Sequence, residues 1–242
     1  GGIAVDNSGY VYVADTWGLC IQKFDTNGNF ITKWGTGGSG DGQFLWPRGI
    51  AVDNSGYVYV ADTSNYRIQK FTSDGTFVTK WGSQGSGDGQ FEGPGGIAVD
   101  SSGYVYVVDG TRIKKFTSDG TFVTKWGGYG YGDGEFVGPY DIAVDNSNYI
   151  YVVDCSKYSI QKFTSDGTFV TKWGSTGSGD GQFWNPTHLA VDSSSYVYVS
   201  DRDTYRIQKF KPISSGQLLL KNNLQILNNN FRTNKSPIQR SH

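Results

Sequence analysis

Thr72-Ser-Asp-Gly-Thr-Phe-Val-Thr-Lys-Trp-Gly82 recurs without change at 117–127 and 164–174, and a looser copy runs from Asp25 to Gly35. Eleven identical residues at a regular interval define an internal repeat, which governs how every other segment is read. A second landmark, Ile/Leu-Ala-Val-Asp, counts the register. It begins at Ile3, Ile50, Ile97, Ile142 and Leu189, in steps of 47, 47, 45 and 47 residues. The short step reflects a trimmed loop at Gly110-Thr111. Five units follow, at about 1–47, 48–94, 95–139, 140–186 and 187–221.

Each unit reads as four short strands, in unit two Ile50–Val52, Tyr57–Ala61, Arg67–Phe71 and Phe77–Trp81. Asp-Asn-Ser-Gly at 53–56 and Ser-Asp-Gly at 73–75 are separators with the Asn, Asp and Gly that tight turns need. Longer glycine-rich links such as 82–91 join the units. In the second strand, Tyr10 and Tyr12 point to one side and Val11 and Val13 to the other. Both faces are apolar, as a strand between two neighbouring sheets requires. In the fourth strand, alternation places Phe77, Thr79 and Trp81 together, with Val78 and Lys80 on a half-solvated face. The expected fold is an all-β propeller of five four-stranded blades, first strands innermost; radial repetition leaves only short sheet edges. A solenoid is the rival for this period, but its units do not normally carry four hairpin-linked strands.

The residues Pro-x-Gly-Ile-Ala-Val-Asp, Tyr-Val-Tyr-Val-Ala-Asp-Thr, Asn65-Tyr-Arg-Ile-Gln-Lys-Phe71 and Trp-Gly resemble the NHL repeat over about residues 1–210. The resemblance implies a β-propeller, usually six-bladed in that family. Five units predict either a ring of five or an open ring, a fragment with a place for a sixth. The fifth unit departs from the pattern after Phe210. Residues 217–221 are read as a degenerate fourth strand, and 222–242 as a frayed or disordered tail.

The chain has 242 residues, with 16 Tyr, 14 Phe and 7 Trp, a bias toward strands. No apolar run is long enough to span a bilayer, and no signal peptide is legible. The reading leans toward the extracellular or cell-surface side and expects other domains outside this chain. Residues 211–242 carry five Lys and Arg and no acid, so the net charge of −1 leaves −6 on residues 1–210. An acidic body argues against nucleic acid as partner. Cys20 and Cys155 fall in different units and are expected as unpaired structural thiols.

Asp15, Asp62, Asp109, Asp154 and Asp201 end every second strand, and Arg67, Arg112 and Arg206 follow in three units. Equivalent copies suit a structural role, each carboxylate holding a loop through backbone amides or the arginine. Catalytic carboxylates would need unlike surroundings. Asp41, Asp88, Asp133 and Asp180 in the Gly-Asp-Gly links are read as turn formers, since one acid per link is too few for calcium. His188 and His242 are the only histidines, too few for a zinc site. Amidating lyases with similar propellers use metal-bound histidines that have no counterpart here. No Gly-x-Ser-x-Gly elbow or phosphate loop occurs. No cofactor and no metal are expected.

The turns after the first strand are nearly constant, whereas the loops after the second strand and the ends of the links differ in every unit. Strand parity puts both variable sets on one face of a propeller. The reading is therefore a non-catalytic scaffold that recognises a protein or peptide through that face. Trp17, Trp46, Arg48, Tyr66, Tyr140, Tyr158, Trp184, His188 and Arg202 are the candidate contacts, residue types enriched at interface hot spots. The alternatives are loop drift without function, and a propeller enzyme, a metal-dependent lyase or lactone-type hydrolase, working in the central channel.

Overall fold

The computed structural model describes residues 1–211. Its regular structure is β throughout, apart from one three-residue 3₁₀ turn, Thr63–Asn65. Four antiparallel sheets follow chain order. They comprise Ile3–Val5, Val11–Asp15, Cys20–Phe24 and Phe30–Trp34; then Pro47–Val52, Val58–Asp62, Arg67–Phe71 and Phe77–Trp81; then Pro94–Val99, Val105–Asp109, Arg112–Phe116 and Phe122–Gly127; then Pro139–Val144, Ile150–Asp154, Ser159–Phe163 and Phe169–Trp173. The fifth sheet has three strands, Pro186–Val191, Val197–Asp201 and Arg206–Phe210. The expected fourth strand at 217–221 and the tail at 222–242 lie outside the described residues. Each first strand packs on the first strand of the next unit. All five line one axial cavity of about 390 Å³, bounded by Ile3, Ile50, Ile97, Ile142 and Leu189 among others. The molecule is a five-bladed β-propeller.

Three details differ from the sequence reading. First strands in units two to five begin three residues earlier, at a proline whose partner is the Asp ending the second strand, as in Pro47 opposite Asp62. The second strands lie one residue later, over Val58–Asp62 in unit two. The fourth strand does not keep one parity. Phe77 pairs with Phe71, but Thr79 pairs with Lys70, so a bulge intervenes. As a result Phe77 packs toward unit one and Trp81 toward unit three.

Each unit therefore has two working faces. A trailing face of Ala51, Tyr59, Ala61, Ile68 and Trp81 meets a leading face of Ile97, Val99, Val105, Val107 and Phe116 on the next blade. The same alternation joins units one to two, three to four and four to five. A link phenylalanine plugs each joint: Phe44, Phe91, Phe136 and Phe183 are all fully buried.

In units two to five the aspartate ending the second strand binds the incoming link. Asp62 accepts hydrogen bonds from Leu45 N at 2.8 Å and Arg67 Nε at 2.8 Å. In unit three the expected arginine is not the partner. Arg112 is exposed, and Lys114 Nζ meets Asp109 at 2.9 Å with both side chains buried. The constant turns have a local cause too. Asp53 accepts from Ser55 N and Tyr57 N at 2.9 Å each, and its second oxygen accepts from the Tyr59 hydroxyl. The link aspartates Asp41, Asp88 and Asp133 pair on the surface with Lys80, Lys125 and Lys172.

Candidate functional site

Where five strands converge on an axis, space for side chains is scarce. The residue before the Ile/Leu-Ala-Val landmark is Gly2, Gly49 and Gly96 in the first three units. A Cβ on Gly49 would stand 2.3 Å from the Gly95 carbonyl oxygen, and one on Gly96 would stand 2.7 Å from the Asp141 Cα. Units four and five break the rule with Asp141 and His188. Both line the axial cavity and the mouth above it.

The mouth holds about 230 Å³ and is bounded by Thr16, Trp17, Trp46, Arg48, Tyr140, Asp141 and His188 together with the glycines of the inner ring. Trp17 comes from the loop after a second strand, and Trp46 from the link that follows; the exposed indoles meet edge-on at 4.7 Å. Arg48 reaches across the axis from unit two, its guanidinium carbon 4.8 Å above the ring of Tyr140 in unit four. Tyr140 in turn touches the imidazole of His188, edge to face at 5.4 Å. Thr16 anchors the floor by donating to the Pro47 carbonyl at 2.7 Å.

Two groups here titrate away from their usual range. Burial pushes the Asp141 carboxyl up to about 6, against the pull of backbone N–H donors from Ile142 and Leu189 and of the Arg48 charge. Its Oδ2 accepts from Leu189 N at 3.2 Å. Burial also pushes the His188 imidazole below its ordinary value, helped by nearby positive charge including Arg48. The mouth thus offers a fixed cation, a carboxyl that is protonated under mildly acid conditions, and a neutral imidazole among aromatic rings.

Five of the nine sequence candidates meet in this mouth: Trp17, Trp46, Arg48, Tyr140 and His188. Of the candidates in the loops after the second strands only Trp17 reaches this opening; Trp46, Arg48, Tyr140 and His188 come from the link ends and the first-strand starts. The other four lie elsewhere. Tyr66 and Tyr158 are half-buried against the cores between units two and three and units four and five. Both have φ of 54°, as does the exposed Tyr205, so it is the packing of the next blade that covers them. Trp184, in the link leaving unit four, and Arg202, on unit five, are exposed but do not line the mouth. Asp141 was missed by the sequence reading, although aligning the units on the residue before Ile-Ala-Val exposes it beside three glycines. Among the described residues no three His, Cys, Asp or Glu side chains come together as a metal-binding set. Cys20 and Cys155 are both free.

A family model for the NHL repeat matches residues 44–71, and one for a 6-bladed beta-propeller matches residues 113–163. No curated protein matches the chain. Solved structures do. A streptogramin B lyase is 17% identical over 87% of this chain and 64% of its own, with a TM-score of 0.64. Virginiamycin B lyase from Staphylococcus aureus is 15% identical over 87% of this chain and 66% of its own, with a TM-score of 0.63. A chain of a nidogen/laminin complex is 19% identical over 87% of this chain and 74% of its own, with a TM-score of 0.63. The chain therefore spans slightly less than two thirds of the length of these lyases. At such identities the likeness speaks to the fold, which serves both catalysis and binding.

Proposed function

With the NHL-type propeller as premise, we propose that this protein is a non-catalytic scaffold that takes a protein or peptide segment into the mouth of its channel. One observation carries the reading. A loop and a link of unit one, with the starts of the first strands of units two, four and five, bring two tryptophans, an arginine, a tyrosine and a histidine to one concave opening. Aromatic and arginine anchors in a partly desolvated recess are the residues that dominate protein interfaces. The volume suits one or two side chains of a ligand. A guanidinium lying on a ring still presents N–H donors at its edge, which favours a ligand with a carboxylate. The propeller of the nidogen/laminin complex supports the reading by likeness of fold.

The enzyme reading has its own observation: Asp141 and His188 are non-equivalent titratable groups at the channel mouth, and lyases share the fold. Selection against a displayed random peptide library, followed by titration of the winning peptide, decides between them. Trp46→Ala combined with Arg48→Ala is expected to weaken binding at least tenfold, while Asn54→Ala in the constant turn leaves it unchanged. Loss of binding in the turn variant alone would reverse the assignment of faces. Chemical turnover of the bound peptide, abolished by His188→Ala with binding retained, would establish the enzyme instead.

A further inference from the structure

The four glycine-rich links share one scaffold, and the link from unit three to unit four departs from it in its polar groups. Gln43, Gln90 and Gln182 fold back on their own links, where each side-chain oxygen accepts from the N–H of Gly40, Gly87 or Gly179. In link three the residue is Glu135, whose Oε2 accepts from Gly132 N at 2.8 Å in the same way. Its other oxygen falls where an amide nitrogen lies elsewhere. A Cβ on Gly130 would stand 3.1 Å from Glu135 Oε1, as one on Gly85 would stand 2.9 Å from Gln90 Nε2. In link two that nitrogen donates to the Gln84 carbonyl at 3.3 Å. The counterpart of Gln84 is Tyr129, so in link three an acceptor replaces the donor to the Tyr129 carbonyl. A second donor is replaced as well. Arg67 and Arg206 donate to the carbonyls of Ser39 and Ser178 at 2.7 Å. Unit four has Ser159 in place of those arginines, and the counterpart of Ser39 is Tyr131.

The same link carries two exposed tyrosines. Tyr129 and Tyr131 are 71% and 70% exposed, at positions where the other links have Gly, Gln or Thr and Ser. Their rings stand at 76° with centroids 6.5 Å apart, so they do not stack on each other and their faces stay accessible. None of Tyr129, Tyr131 and Glu135 lines the channel mouth. We propose that this link binds an arginine side chain of a partner protein through Tyr129, Tyr131 and Glu135. The oxygens deprived of those donors, one carboxylate oxygen and two main-chain carbonyls, can only accept hydrogen bonds, which calls for a ligand that only donates. A guanidinium donates from a planar edge matched to a carboxylate and lays its face on an aromatic ring. The cations already nearby are engaged with other oxygens. Lys157 Nζ donates to the carbonyls of Gly132 and Glu135 at 2.9 Å each, and Lys172 pairs with Asp133 at 2.6 Å. A saccharide, with donors and acceptors mixed, matches these oxygens less well.

The probe is acetyl-Gly-Arg-Gly-amide, titrated into the isotope-labelled full chain, with the amide resonances of Tyr129, Gly130 and Tyr131 as the readout. Saturable shifts at these amides are expected. They should be absent with the neutral citrulline counterpart and weakened at least about tenfold by Glu135→Gln combined with Tyr131→Ser. Both substitutions install what the other three links carry, so the melting temperature should not change. Trp46→Ala combined with Arg48→Ala should leave the shifts intact, so this proposal and the reading of the mouth can fail separately. Shifts that do not appear, that citrulline reproduces or that survive the double substitution in the link overturn the proposal. Loss of the shifts in the mouth variant overturns it too, since the probe would then sit in the mouth. So does tighter binding of cellobiose at the same amides, which would make a saccharide the ligand.

Discussion

Gly120 in unit three lies flat against the indole of Trp81 in unit two, so closely that an added Cβ would stand 2.6 Å from the ring. Gly75 stands in the same relation to Trp34, and Gly167 to Trp126. Glycine and tryptophan of the eleven-residue stretch therefore meet between neighbouring copies, each blade supplying the glycine for the one before it. The glycine and the tryptophan both recur in the three identical copies of the stretch. Gly120 has φ of 93°, a conformation other residues adopt only with strain. Gly120→Ala should therefore cost about 2–4 kcal/mol, strain and overpacking together. Urea unfolding monitored by tryptophan fluorescence tests this; an unchanged midpoint would mean that the ring moves aside freely.

Trp126 packs edge-on to Tyr106 at 6.2 Å in its own blade and against Phe163 at 6.0 Å in the next. It serves as a joint between blades. Trp126→Ala should destabilise by about 3–5 kcal/mol, the range for removing a large buried aromatic. A loss below about 1 kcal/mol accompanied by lost peptide binding would identify it as a ligand contact instead.

Lys114 and Asp109 form an ion pair in which both side chains are 1–2% exposed. Lys114→Ala would strand a buried carboxylate and should cost about 3 kcal/mol or more. Lys125→Ala breaks a pair with Asp88 whose carboxylate is 58% exposed, and should cost under about 1 kcal/mol. Equal losses in the two variants, measured by denaturant titration, would contradict the difference in burial.

Asp141 ionises near 6 in the folded protein and near the ordinary 3.8 when the chain is unfolded. Between those values the folded state holds the extra proton, so stability contributed at this site falls as pH rises from about 4 to about 6 and is level above. Asp141→Asn removes the titration. It should flatten that part of the stability profile and raise stability at pH 7 relative to pH 4, by an amount on the order of 3 kcal/mol. Parallel melting curves of the two proteins from pH 4 to 7 would show no divergence if the carboxyl were freely hydrated.

The faces of the fourth strand show where reading by alternation stops. Phe77 and Trp81 are four residues apart and should share a side, yet they pack on opposite neighbours. The bulge responsible lies between Phe77 and Thr79, bends the outer strand and has no residue signature in Phe-Val-Thr-Lys-Trp. The candidate site divides in the same way. Trp17, Trp46, Arg48, Tyr140 and His188 were legible as differences among equivalent loops. That Tyr66 and Tyr158 are half-buried follows from the neighbouring blade packed on them, since Tyr205 has the same φ of 54° and is 94% exposed.

The sequence by itself determined the architecture, because a repeat of 45–47 residues with two apolar faces per strand can bury both only by stacking blades around an axis. It also determined which face varies, since strand parity assigns every loop to one side. Tertiary structure alone decided three things. It placed Asp141 beside His188 on the inner ring, where convergence of strands removes water from the carboxyl. It chose Lys114 over Arg112 as the partner of Asp109. Among the described residues it left Ile3 68% and Ile207 71% exposed while their counterparts inside the ring are buried, because a blade face is covered only by the unit packed on it.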